Sequence, residues 1–288
     1  MDPSFRLAVL ECEAPPTPVL KMYGTYGDIV KNFLTSVVET ATYPNLEILK
    51  WNLLSAKSFP DLDTIDGVLL TGSQFTAFED DAWVPGLTEF IQRAYAARKP
   101  LVGICYGHQM ISRALGGTVA RCPEGWELGV QRIKLSPMGT TLFGKSSLRI
   151  HQVHQDAVIQ TPPGVEAIGY SAQCGIQIAY QRGRVLSFQG HPEFDVFITT
   201  HEISERYSKE SFDKTMYSDA LSRVGRPHDG LLIAVAVWGH LLNADQHAAM
   251  DNAEEVYETD ALLRIEMAPA VCSLGDKCAL PGVLSRSI

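Results

Sequence analysis

The chain of 288 residues has no basic run, no cysteine pair at metal-ligand spacing and no long apolar stretch, and each absence removes a class of function. Its 24 Lys and Arg face 33 Asp and Glu, a net charge of −9. A sequence-independent grip on nucleic acid needs clustered cations, so no nucleic-acid partner is expected. The six cysteines, Cys12, Cys105, Cys122, Cys174, Cys272 and Cys278, are scattered, with neither a Cys-x-x-Cys pair nor a dense ladder. Reduced thiols are expected, at least one of them available for chemistry. No run approaches the roughly 18 apolar residues of a membrane span, and Met-Asp-Pro-Ser-Phe-Arg lacks the basic and apolar regions of a secretory signal. No membrane partner and a cytoplasmic address are expected. What is present, 45% hydrophobic residues, suffices for one sizeable core or two small ones and excludes a long disordered protein.

Apolar periodicity alternates along the first 117 residues. Phe5–Leu10 reads as a strand, Ala14–Pro18 as a loop, and Ile29, Phe33, Val37 and Val38 fall at helical spacing. Strands are expected at Leu46–Trp51, Gly67–Thr71 and Leu101–Ile104, with a helix at Trp83–Ala97. Such alternation argues for a parallel sheet covered on both faces. Beyond Gly117 the pattern is β-type at Val130–Leu135, Leu148–Val153, Ile176–Tyr180 and Val185–Gln189, with a hairpin at Arg182-Gly183. Helical patterns follow at about Val196–Arg223 and Leu231–Leu242. One α/β domain, residues 1–250, is expected, with a peripheral tail, 251–288, of three basic and seven acidic residues.

The strongest local signal is Leu101-Val-Gly103-Ile-Cys105-Tyr106-Gly107-His-Gln109 followed by helical spacing. A strand ends where a helix begins. Cys105 on that turn would sit at the carboxyl edge of the sheet, by a helix N-terminus whose dipole favours thiolate. Gly103 and Gly107 would let the backbone turn tightly and a substrate approach. A buried structural cysteine is the commoner fate of such a residue, but the glycine and glutamine spacing weighs against it. A cysteine nucleophile needs a base, and His191 follows an apolar strand in Phe188-Gln-Gly190-His191-Pro192-Glu193. Pro192 stiffens that loop, and Glu193 is placed to accept the second ring N–H.

Gly103-x-Cys105-x-Gly107-x-Gln109 and Gly190-His191-Pro192-Glu193, with the histidine 86 residues (191 − 105) after the cysteine, resemble the paired motifs of class I glutamine amidotransferases. The resemblance spans about residues 5 to 245. It implies a flavodoxin-like open, mostly parallel sheet with helices on both faces. It also implies that Cys105 is the nucleophile on a γ-glutamyl carboxamide, His191 the general acid/base and Glu193 its orienter, through a γ-glutamyl thioester. The oxyanion hole would be formed at Tyr106 and Gly72, where Thr71-Gly72-Ser73 replaces the family's Gly-Gly-Pro. Gln109 resembles the family glutamine that contacts the glutamyl portion. His151-Gln-Val153-His154-Gln-Asp156 resembles the Ser-His-x-Asp stretch lining that pocket, with Val153 in place of Ser. Ser73, Phe75, Glu79 and Asp80 resemble the loop of the γ-glutamyl peptidase branch, whose members act on glutathione conjugates.

His151, His154 and Asp156 also suggest a metal site, but one strand would have to supply every ligand and Asp156 would need a bend, so no metal is expected. No dissociable cofactor is implied either. A stand-alone γ-glutamyl hydrolase or peptidase acting on a glutathione-like conjugate, within sulfur or secondary metabolism, is the leading expectation. A glutaminase subunit serving a separate synthase and a non-catalytic binding or regulatory protein are the alternatives.

Overall fold

The computed structural model describes residues 4–37, 43–56 and 58–242. Val38, Cys272, Cys278 and the tail expected at 251–288 lie outside the described residues. The first half of the chain runs β1 (Ser4–Glu11), α1 (Thr17–Tyr23), α2 (Tyr26–Thr35), β2 (Asn45–Asn52), β3 (Gly67–Leu70), α3 (Val84–Ala96), β4 (Leu101–Ile104) and α4 (Tyr106–Ala114). The second runs β5 (Thr118–Arg121), β6 (Glu127–Leu135), α5 (Pro137–Phe143), β7 (Ser147–His154), β8 (Asp156–Gln160), β9 (Glu166–Tyr170), β10 (Ile178–Gln181) and β11 (Val185–Phe188). Three helices close it: α6 (Val196–Ser208), α7 (Lys214–Val224) and α8 (Gly230–Leu242).

Nine strands form one sheet in the order β2-β1-β3-β4-β11-β10-β9-β6-β7, and β5 pairs with β8 apart from it. The pairs from β2 to β11 are parallel, and those from β11 to β7 antiparallel. Residues of β3, β4 and β11 are buried throughout, as in strands covered on both faces, with Ser187 the polar exception. Alternate side chains serve opposite faces. Leu69, Val102 and Ile104 join a core with Phe33 and Leu34 of α2 and Trp238 of α8, while Val68, Leu70 and Leu101 join Phe90 of α3 and Met110 of α4. The Trp238 indole N–H donates to the Leu34 carbonyl at 2.9 Å, tying α8 to α2.

One expected helix is two. The stretch 196–223 breaks between α6 and α7, where Glu210 takes φ +57° and the Asp213 carboxylate caps α7 by accepting the Met216 N–H at 2.8 Å. Phe212, at helical spacing in the sequence, instead packs on Trp126 and Tyr207, and that contact outweighs continued helix. The hairpin at Arg182-Gly183 joins β10 to β11, with Gly183 at φ +64°. Among the described residues no helix is long and apolar enough to cross a membrane.

Candidate active site

β4 delivers Ile104, the chain turns at Cys105, and α4 begins at Tyr106. Cys105 holds φ +52° and ψ −105°, a conformation that strains any residue with a Cβ. Two main-chain bonds hold it: the Cys105 N–H donates to the Phe188 carbonyl at 2.8 Å, and the Cys105 carbonyl accepts the Gln109 N–H at 3.1 Å. The flanking glycines serve close packing rather than substrate approach. A Cβ on Gly103 would lie 2.7 Å from the Gly107 carbonyl, and one on Gly107 would lie 2.3 Å from the Leu70 oxygen. Helix α4 therefore rests directly on the backbone of β3 and β4.

His191 comes from the neighbouring strand. After β11 its N–H donates to the His151 carbonyl of β7 at 2.8 Å, and its ring stacks on Phe194 with centroids 4.0 Å apart. Nδ1 lies 2.8 Å from Glu193 Oε1, which leaves Nε2 for the cysteine side. A Cβ on Gly72 would sit 2.8 Å from His191 Cε1, 3.6 Å from Nε2 and 3.5 Å from Cys105 Cβ, so the three residues converge. Burial by itself pulls the imidazole down. The Glu193 carboxylate, with the charge of Cys105 and a hydrogen bond to it, prevails and pushes His191 up to about 10.

Both expected oxyanion donors stand beside this cysteine. Tyr106 is the first helical residue, so its N–H has no acceptor within the helix. The Gly72 turn is pinned by Thr71, whose carbonyl accepts the Gly107 N–H at 3.2 Å and whose hydroxyl donates to the Gly72 carbonyl at 3.2 Å.

A cavity of about 160 Å³ opens beside Cys105. Gln109, Val153, His154 and Asp156 line one side, and Ser73, Gln74, Phe75 and Arg206 also face it. The expected substrate-contacting residues Gln109, Val153 and His154 are thus brought together. The Gln109 amide nitrogen donates to the Asp156 carbonyl at 2.9 Å and to Gln189 Oε1 at 3.1 Å. Its oxygen is therefore what it can offer a ligand. The His154 ring is held by Glu127 Oε2 at 3.2 Å and the Asp156 carbonyl at 3.1 Å. His151 turns elsewhere, to the Thr199 hydroxyl at 2.9 Å. Among the described residues no three His, Cys, Asp or Glu are grouped to hold a metal. Glu79 and Asp80 do not line the cavity. They hold Arg113, through the Glu79 carbonyl at 2.8 Å and Asp80 Oδ1 at 2.5 Å.

Sequence reasoning passed over Arg206, Glu127, Gln177 and Gln189. Arg206 is buried and ion-paired to Glu202 at 2.5 Å, while Glu202 accepts the Tyr26 hydroxyl at 2.6 Å. The Glu202–Arg206 spacing reads in sequence as an ordinary surface pair. Gln177 donates to Glu127 at 2.5 Å and accepts from Gln152 at 3.1 Å, forming a buried amide cluster behind the cavity.

The sequence profile of the family described as glutamine amidotransferase class-I matches residues 23–207. The chain belongs to this family. A glutamine amidotransferase-like protein of Schizosaccharomyces pombe is 31% identical over 252 residues, 83% of this chain and 99% of that one. Gamma-glutamyl peptidase 5 of Arabidopsis thaliana is 32% identical over 203 residues, 66% of this chain and 76% of that one. A glutamine amidotransferase of Thermotoga maritima superposes with a TM-score of 0.62 at 20% identity, covering 83% of this chain and 96% of that one, a likeness of fold. The flavodoxin-like α/β class expected from the sequence is the observed one.

Proposed function

We propose that this class I amidotransferase relative is a γ-glutamyl hydrolase acting on the amide or peptide bond of glutamine or a glutathione-type conjugate. The observation that carries the reading is the convergence of Cys105, His191 and Gly72, with Glu193 on the far ring nitrogen. With Glu193 on one ring nitrogen and Cys105 on the side of the other, His191 keeps its proton, the state a thiolate–imidazolium pair requires. The sulfur attacks the γ-carbonyl carbon and the carbonyl electrons move to oxygen, facing the Tyr106 and Gly72 amides. Collapse expels the amine, which takes the His191 proton, and leaves a γ-glutamyl thioester. The neutral imidazole then takes a proton from water, whose oxygen attacks the thioester and releases glutamate, restoring thiolate and imidazolium.

The cavity wall suits a γ-glutamyl group, whether in glutamine or in a peptide. Arg206 uses one guanidinium nitrogen on Glu202, and its charge reaches Cys105. The remaining guanidinium N–H groups suit a carboxylate on the substrate. Family membership supports the second reading, a glutaminase subunit that delivers ammonia to a separate synthase.

Incubating the purified protein with glutamine and with γ-glutamyl-cysteinyl peptides tests both. Glutamate release from the peptides by the protein alone, abolished in Cys105→Ala, is expected. Release from glutamine only after a synthase is added would replace the first reading with the second, and full turnover by Cys105→Ala would end the nucleophile assignment.

A further inference from the structure

Gln189 stands outside the cysteine–histidine–glutamate set, yet its side chain reaches the sulfur. It is completely buried, and its Nε2 lies 3.8 Å from Cys105 Sγ. Its Oε1 accepts from Gln109 Nε2, which also donates to the Asp156 carbonyl. These contacts have one consistent direction. A main-chain carbonyl can only accept, so Gln109 must turn its NH₂ toward Asp156. The other N–H of that group goes to Gln189, which therefore presents its oxygen to Gln109 and its own NH₂ to the sulfur. The Gln189 main chain is held too, its N–H donating to the Gln177 carbonyl at 2.8 Å.

We propose that Gln189 is a further catalytic residue, a fixed N–H donor to the anionic Cys105 sulfur, aimed by the relay Asp156 carbonyl–Gln109–Gln189. The proposal rests on Cys105 being the nucleophile. A hydrogen bond to a charged acceptor is stronger than one to a neutral acceptor, and amides linked in a buried chain polarise one another. The donor therefore favours the two moments when sulfur holds the negative charge. The first is before attack. The second is when the thioester's tetrahedral intermediate collapses, the C–S bond breaks and its electron pair returns to sulfur.

Alkylation of Cys105 by iodoacetamide, followed by mass spectrometry on the full chain across about pH 3 to about pH 9, reads the sulfur without any γ-glutamyl substrate. Gln189→Met keeps length and removes the donor. The midpoint of its pH–rate profile is expected to rise by about one unit, a tenfold change in the ionisation equilibrium. Gln109→Met, which leaves the sulfur's own donor in place, is expected to raise it by about half a unit. Unchanged midpoints in both variants overturn the relay. Should circular dichroism show Gln189→Met unfolded, Gln109→Met decides by the same criterion. Shifted midpoints without glutamate release from any γ-glutamyl compound would leave the relay standing and remove the proposed function. Glutamate release with unshifted midpoints would do the reverse.

Discussion

The nucleophile turn and the histidine arm leave adjacent strands of one sheet but are held by opposite means. At the turn, hydrogen takes the place of a side chain at Gly103 and Gly107, and backbone lies directly on backbone. Along the arm, polar contacts act: the His191 N–H to His151, Glu193 on Nδ1, and a ring stacked on Phe194. One part is fixed by atomic size, the other by charge and hydrogen bonding. A substitution that adds a methyl group should therefore damage the first, and one that removes a charge the second.

The largest effect is expected from Gly107→Ala, whose methyl group would meet the Leu70 carbonyl. A loss of about 3 kcal/mol, or about 6 to 12 °C in Tm by circular dichroism, should follow. A change below about 2 °C would show that the turn has room to relax.

Glu193→Gln should leave the turn intact and disarm the arm, with kcat lower by about 100-fold in a glutamate-release assay. Its pH signature is distinct. The folded His191 titrates at about 10, above the ordinary 6.5, so protonated His191 stabilises the fold. That contribution is full below about pH 6.5 and disappears as pH rises through about 10. The gap in denaturant stability between wild type and Glu193→Gln should close across this window, and a constant gap would contradict the assignment.

Acid probes the histidine buried beneath each region. His108, on α4 beside Ser187, and His151, under the arm, are both pulled down to about 3, chiefly by burial. A depressed histidine contributes stability above about pH 6.5 that is lost on acidification, at about 1.4 kcal/mol per pH unit for each group. His108→Gln and His151→Gln should each flatten the acid limb of a urea-stability profile by that slope. The smallest effect contrasts Cys105→Gly with Cys105→Ala. Both should be inactive, but in urea unfolding the glycine variant should be more stable by about 1 kcal/mol, because only it relieves the strain at φ +52°.

The turn was legible in the sequence because its glycines and cysteine obey local rules: a strand must end, a helix must begin, and close approach demands glycine. His191 and Glu193 were legible for the same reason, two positions apart on a Pro-stiffened loop. The role assigned to Gly103 and Gly107 was partly misread, since sequence shows that space is needed but not what fills it. Gln189, Gln177 and Glu127 gave no signal, because a buried amide is recognised by the partners that satisfy it, and those come from distant strands. The break between α6 and α7 was hidden by Phe212, whose ring keeps helical spacing while its packing lies across the fold. Short β5, β8 and β9 carry mixed burial, so no periodicity marks them.

β4 and β11 are hydrogen-bonded neighbours, aligned from Leu101 with Val185 to Ile104 with Phe188. The sulfur and the imidazole therefore ride on a common rail, each one step or a few beyond its end. Because one strand pairing sets both positions, the surrounding loops can be remodelled for new substrates without retuning the separation of sulfur and imidazole.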